Sequence, residues 1–255
     1  MIENTIIKAN NTGRKAAVFS LVFPSLHLVE LAAHVGFDAI NIDGEHGYFP
    51  TESIDNICRV ANGYNMSVTA RVPDSTPYWV NLFLDRGVQG ITGPHINNAE
   101  EAQNLSDACL FPPHGKRSWG GGRGTEFDDI ILLEKKYGGK LDFAKWTNSN
   151  MLVWAQIESK IAWENLDSIL DIEGLTGITG GPNDLAASLG HPGEPNHKER
   201  IRVSEDTEKR TRRAGKLVAS DIFSTVDIHG LMLTYSRELA TKIKKEKIKL
   251  LVFYK

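Results

Sequence analysis

The sequence holds only two cysteines, Cys58 and Cys109, in 255 residues. That is too few for a disulfide framework, and both sit inside amphipathic helical patterns rather than in paired ligand spacings. Buried, reduced thiols in a cytoplasmic protein are the expected state, and a chain of this length buries enough core to need no crosslink. Long apolar runs are also lacking. No segment approaches the roughly 20 residues that cross a bilayer, and the N-terminal MIENTIIKANNTGRK has no extended apolar stretch with a cleavage pattern. A soluble protein without a membrane partner is expected. Charge of one sign is missing as well: the net charge is -3, so no global field recruits nucleic acid or anionic lipid. The one basic cluster, Lys242, Lys244, Lys245, Lys247 and Lys249, is explained by a solvated helix face as well as by an anion site.

What the chain does contain is an alternation of short apolar runs with helical patterns. AAVFSLVF (16–23) reads as a buried strand. Ser25 then caps a helix with Leu28, Leu31, Ala32 and Val35 on its apolar side, ending near Gly36. DAINID (38–43) precedes a helix over about 51–64, SVTARV (67–72) one near 77–86, and GITGPH (90–95) one near 98–109. MLVWAQIE (151–158) precedes a helix near 160–171, TGITGG (176–181) a short one at 184–189, and KLVAS (216–220) follows a charged helical stretch. Strands apolar on both faces, each followed by a helix, predict a parallel sheet covered by helices. At least seven such units without a linker predict one α/β domain over 1–255, a (β/α)8 TIM barrel with an irregular C-terminal end. Two assignments compete there. Either IKLLVFY (248–254) is the eighth strand, the reading favoured by its length and flanking lysines, or IFSTV is, and one βα unit is shortened. The Gly-, Pro- and Arg-rich stretch 111–150 breaks the rhythm, and is expected to be a functional loop or an excursion toward a neighbouring subunit.

In a parallel barrel the C-terminal strand ends carry the chemistry. Here they read Asp43-Gly44-Glu45-His46, Arg71, Gln156-Ile157-Glu158 and Gly181-Pro182-Asn183-Asp184. Singly, each has a plainer account: Asp43 or Asp184 as a helix N-cap, His46 as a structural hydrogen-bonder, Arg71 as the neutraliser of Asp43. Glu158 is harder to dismiss, because a carboxylate closing an apolar strand is costly without a cation or hydrogen bonds. Two carboxylates on adjacent strand ends, without a Cys/His cluster, suit a hard divalent ion such as Mg²⁺ or Mn²⁺ that keeps open positions for a 2-oxo acid.

DGEHG, ARV, AQIE, GGPNDLAASLGHPG, AEEA (99–102) and PPHGKRSWGGGR (112–123), spread over about residues 15–220, together resemble the HpcH/HpaI family of metal-dependent (class II) pyruvate aldolases. Relatives within it include 2,4-dihydroxyhept-2-enedioate aldolase and macrophomate synthase. The resemblance implies a barrel assembled as a homo-oligomer, dimer-based or hexameric. It implies Mg²⁺, Mn²⁺ or Co²⁺ as cofactor, and reversible cleavage of 4-hydroxy-2-oxo acids to pyruvate and an aldehyde through a metal-stabilised pyruvate enolate. By motif it assigns Glu158 and Asp184 as metal ligands, His46 as acid/base, Asp85 in LDRG as its polar partner, and Arg71 as the enolate-oxygen donor. Gln156, Gly181, Pro182 and Asn183 then orient the 2-oxo acid. The chain departs from the family pattern at ITGPHINNA, which sets His95 near the site, read here as a contact to the loop, with a changed acceptor preference as the alternative. Arg117 and Arg123 are read as reaching a substrate's distal carboxylate. Alternatives are oxaloacetate decarboxylation, enolate addition like that of macrophomate synthase, and a catalytically silent barrel.

Overall fold

Among the described residues eight strands form: β1 (Ala16–Leu21), β2 (Ala39–Asp43), β3 (Ser67–Arg71), β4 (Gly90–Gly93), β5 (Leu152–Ile157), β6 (Gly177–Gly180), β7 (Leu217–Val218) and β8 (Phe223–Asp227). The computed structural model describes residues 1–245. Every strand pairing is parallel, in the order β7-β6-β5-β4-β3-β2-β1-β8. β5 is buried along its whole length, as expected where helices cover one face and the curled sheet's own interior fills the other. The outcome is a single α/β domain whose sheet curls into a half-barrel.

The two ends of the sheet differ, and the difference places the site. At the N-terminal ends of the strands, the helix Thr5–Asn11 inserts Ile6 and Ala9 against Ala16, Val18, Ala39, Leu152, Trp154 and Ala219. This plug closes that end, with Asn4 capping the helix and donating to the carbonyls of Gln89 and Asn150. The opposite end, where the strands finish, stays open to solvent.

β7 has two residues and pairs only with the start of β6, Gly177 with Leu217 and Ile178 with Val218. One helical turn, Ala219–Ile222, leads to β8, whose first residue Phe223 sits opposite Ala16 at the start of β1. A parallel crossover ordinarily needs a dozen or more residues. Four suffice here because β7 ends almost where it begins, so the turn runs sideways along the closed end. β7 and β8 are not paired with each other among the described residues. The eighth strand is therefore Phe223–Asp227 and one βα unit is shortened, which corrects the expectation that 248–254 fills that position; that run lies outside the described residues. Helical backbone continues from Ile228 to Lys245, with a π-turn at Met232–Ser236.

The stretch 111–150 folds into helices Ile130–Tyr137 and Lys140–Ser149 around their own core of Phe111, Leu133, Phe143 and Ala144. It joins the end of helix Ala99–Cys109 to the start of β5, so it attaches at the closed end. No helix among the described residues is long and apolar enough to cross a membrane.

Candidate active site

β2 and β3 finish side by side, Asp43 opposite Arg71. Arg71 Nε and Nη2 donate to Asp43 Oδ1 and Oδ2 at 2.9 and 2.7 Å, a bidentate pair. Burial alone would raise the Asp43 pKa, but Arg71's hydrogen bonds and charge outweigh it and hold the carboxyl below its ordinary 3.8. A depressed folded-state pKa adds stability above the unfolded value, lost as pH falls through the folded one. Asp43→Asn is thus expected to flatten the fall in stability on acidification below pH 3.8, read by denaturant unfolding. A fall as steep as that of the parent protein would contradict it.

The chain after β2 turns back sharply. Gly44 N–H donates to the Arg71 carbonyl at 2.8 Å, and a Cβ at Gly44 would lie 2.8 Å from that same oxygen, so only glycine fits. The turn delivers Glu45 into the strand mouth and leaves His46 exposed at the rim, its N–H donating to Asp43 Oδ1 at 3.3 Å. Glu45 Oε2 lies 2.8 Å from Arg71 Nη1, yet this buried oxygen has no aligned hydrogen bond.

β5 delivers Gln156 and, one residue past its end, Glu158. The Glu158 carboxylate is buried, 2% exposed. Its Oε2 accepts from Gln156 Nε2, and its Oε1 from the His95 backbone N–H at 2.9 Å. Gly181, after β6, passes so close that a Cβ there would overlap Glu158 Oε2. His95 follows β4 in the left-handed region, φ 52°, uncommon for a residue other than glycine. Its Nδ1 lies 3.0 Å from Glu158 Oε1 and its Nε2 3.0 Å from Glu45 Oε1. Ligand atoms of Glu45, His95 and Glu158 lie within 4.8 Å of one another, an arrangement that could hold a metal ion.

Beside these groups, a cavity of about 400 Å³ is lined by Asp43, His46, Arg71, Gln156, Gly181, Pro182, Asn183 and Asp184. The structure thus gathers most of the residues expected from the strand ends around one opening. Asp184 is exposed on its wall and outside the Glu45–His95–Glu158 group. Asp85 is not gathered. It caps the C-terminus of helix Pro77–Leu84 and leads into β4, so it lies at the closed end, lining another cavity with Asp55, Arg86 and Arg123. Burial raises its pKa, against the pull of Arg117 and Arg86.

The loop arginines also differ from expectation. Arg117 is buried, with its guanidinium over the Phe111 ring and Nη2 near the Leu84 and Gly124 carbonyls. Desolvation pulls its pKa down to about 10. Arg123 pairs with Asp55. Both anchor the 111–150 excursion to the closed end, so neither faces the cavity beside Glu158. Two residues at the mouth were not read as ligands from sequence: Glu45, given no role, whose signal was its place two residues past Asp43, and His95, read as a loop contact, whose signal was the departure at GPH.

Comparison with known proteins places this geometry among relatives. The model of the family described as HpcH/HpaI aldolase/citrate lyase matches residues 18–245. A 2-keto-3-deoxy-L-rhamnonate aldolase of Shigella boydii is 32% identical over 190 residues, covering 74% of this chain and 68% of the relative. An HpcH/HpaI aldolase from Desulfitobacterium hafniense superposes with a TM-score of 0.84 at 23% identity, covering 94% of this chain and 97% of the other. Macrophomate synthase superposes at 0.80 and 19% identity, over 94% and 88%. The two superpositions bear on the fold alone.

Proposed function

Because the chain belongs to the HpcH/HpaI aldolase/citrate lyase family and is a lyase, we propose that it cleaves 4-hydroxy-2-oxo acids to pyruvate and an aldehyde, reversibly, using a divalent metal ion. The observation that carries this reading is Glu158, a carboxylate 2% exposed at the strand mouth. No lysine or arginine lies within ion-pair distance of it among the described residues. A buried anion left so is costly, and the donors around it fit a cation. Glu158 and Asp184 are the proposed ligands, and Mg²⁺ or Mn²⁺ suits the oxygen donors, with Co²⁺ also accepted. Bound there, the ion supplies Lewis acidity to the 2-oxo group.

The chain's own residues do the rest. Gln156 and the backbone of Gly181, Pro182 and Asn183 orient the 2-oxo acid. Arg71, paired with Asp43 through Nε and Nη2 and standing 2.8 Å from Glu45 Oε2 through Nη1, sets its positive charge at the mouth beside the 2-oxo oxygen, where negative charge grows as C3–C4 breaks. His46 at the rim takes the C4 hydroxyl proton as the aldehyde forms, and returns it in the synthetic direction.

Asp85 partners His46 only if a second copy brings it, since within one chain the two sit at opposite ends of the sheet. A homo-oligomer, dimer-based or hexameric, is supported by Met232, Leu233, Tyr235, Leu239 and Ile243, all exposed along the C-terminal helix. The half-barrel is read as a (β/α)8 barrel with one unit shortened. The test is a panel of aldehydes incubated with pyruvate and Mn²⁺. At least one should yield a carbon–carbon adduct. Oxaloacetate decarboxylation with no adduct from any aldehyde would contradict the aldolase reading.

A further inference from the structure

We propose that His95 is a third protein ligand of the divalent ion, through Nδ1, and that this nitrogen turns the site toward Co²⁺ and Ni²⁺ over Mg²⁺. The proposal rests on the metal-dependent reading above and adds a ligand to it. His95 Nε2 faces Glu45 Oε1 at 3.0 Å, and its Nδ1 faces Glu158 Oε1 at 3.0 Å. Metal-bound histidines characteristically donate their second ring N–H to a carboxylate, which fixes the tautomer. Glu45 is built for that role, because Arg71 Nη1 stands 2.8 Å from its other oxygen and holds the carboxylate in place. With the proton on Nε2, the Nδ1 lone pair stands 3.0 Å from a carboxylate oxygen with no proton aligned between them, a repulsive approach that a cation bound to both atoms relieves. The 3.0 Å separation suits that cation: neighbouring donors around an octahedral ion with bonds of about 2.1 Å lie about 3.0 Å apart.

The backbone supports the same reading. His95 holds a left-handed φ of 52°, a conformation retained where its surroundings over-determine it. Here it puts both the backbone N–H and the ring of one residue on Glu158 Oε1. The imidazole ring is 58% exposed on its outer side, so an ion can reach it from solvent. Carboxylates and waters alone favour Mg²⁺ or Mn²⁺, whereas imidazole adds affinity for later transition ions.

The test is calorimetric titration of the metal-free full chain with Mg²⁺, Co²⁺ and Ni²⁺ in turn, without substrate. A His191→Ala background disrupts the His191, His197 and Glu199 group, which would take the same ions. His95→Asn is the variant of choice, because asparagine tolerates positive φ and its short side chain withdraws the nitrogen donor. Its dissociation constants for Co²⁺ and Ni²⁺ should rise about tenfold or more, while that for Mg²⁺ changes less than about threefold. The visible absorption of bound Co²⁺ should shift as well. Glu45→Gln should weaken Co²⁺ about tenfold by loosening the imidazole. Equal changes for Mg²⁺ and Co²⁺ in His95→Asn, or none, overturn the ligand assignment. Glu158→Gln separates the two claims: loss of every ion upholds the underlying site, and retention of all of them overturns that site along with the ligand.

Discussion

Glu158→Gln is expected to abolish divalent-ion binding and to lower carbon–carbon cleavage on the order of 10³-fold or more, because the Lewis acid is worth several kcal/mol to the developing enolate. The substitution is nearly isosteric and keeps an amide oxygen for the His95 N–H, while its NH2 takes the place of the oxygen that accepts from Gln156 Nε2, whose own amide turns over to accept. It also removes one of two buried negative charges facing His95. Thermal stability without metal should therefore hold or rise while activity disappears. A variant that keeps its activity but melts early would mark Glu158 as a structural group.

The second large effect separates the roles of two side chains of the mouth. His46→Ala should slow the carbon–carbon step by roughly 10²–10⁴-fold, the usual contribution of a positioned proton-transfer group, with ion and pyruvate affinity nearly unchanged. Arg71→Ala should weaken pyruvate binding as well as slow the reaction, since its charged donors act in both ground and transition states. It also leaves Asp43 and Glu45 unpaired in a partly buried mouth, at a cost of roughly 2–4 kcal/mol. Oxaloacetate adds a contrast. Loss of CO2 forms the enolate without removing a hydroxyl proton, so His46→Ala should impair decarboxylation less than aldol cleavage. Equal losses in both reactions, measured by steady-state kinetics, would show that His46 has another role.

The strand ends were legible in the sequence because each apolar run stops at a polar residue, and parallel strands finish on one face. Asp43, Arg71, Gln156, Glu158 and the Gly181–Asp184 turn follow from that rule. Helix faces were less legible. Leu31 and Val35, expected on the buried side, are exposed, while Leu28 and Ala32 pack on the core as expected and Val29 joins them, a distinction that periodicity in a short helix does not resolve. That Asp85 lies far from His46 within one chain was not legible, because a motif carries no topology. A residue between a helix and the following strand lies at the closed end, whatever its resemblance. Arg117 sat in a Gly-rich stretch read as a loop reaching toward substrate, but the aromatic cluster of Phe111, Trp119, Tyr137 and Phe143 gave the excursion a core of its own. The shortened β7–β8 unit was the less favoured of two readings, because a two-residue strand has no periodicity to argue for it. Glu45 and His95 came together through a glycine turn and a left-handed residue, and neither conformation is written in an apolar pattern.

The central claim is that this mouth, loaded with a divalent ion, forms a pyruvate enolate. Deuterium exchange at the pyruvate methyl group in D2O, followed by NMR, reads that step without any aldehyde. With Mg²⁺, Mn²⁺ or Co²⁺ present, exchange well above the rate for the ion alone is expected; it should stop on chelation, resume when the ion is restored, and be absent in Glu158→Gln. Exchange that persists after verified metal removal, or none with any of the three ions, would contradict the account.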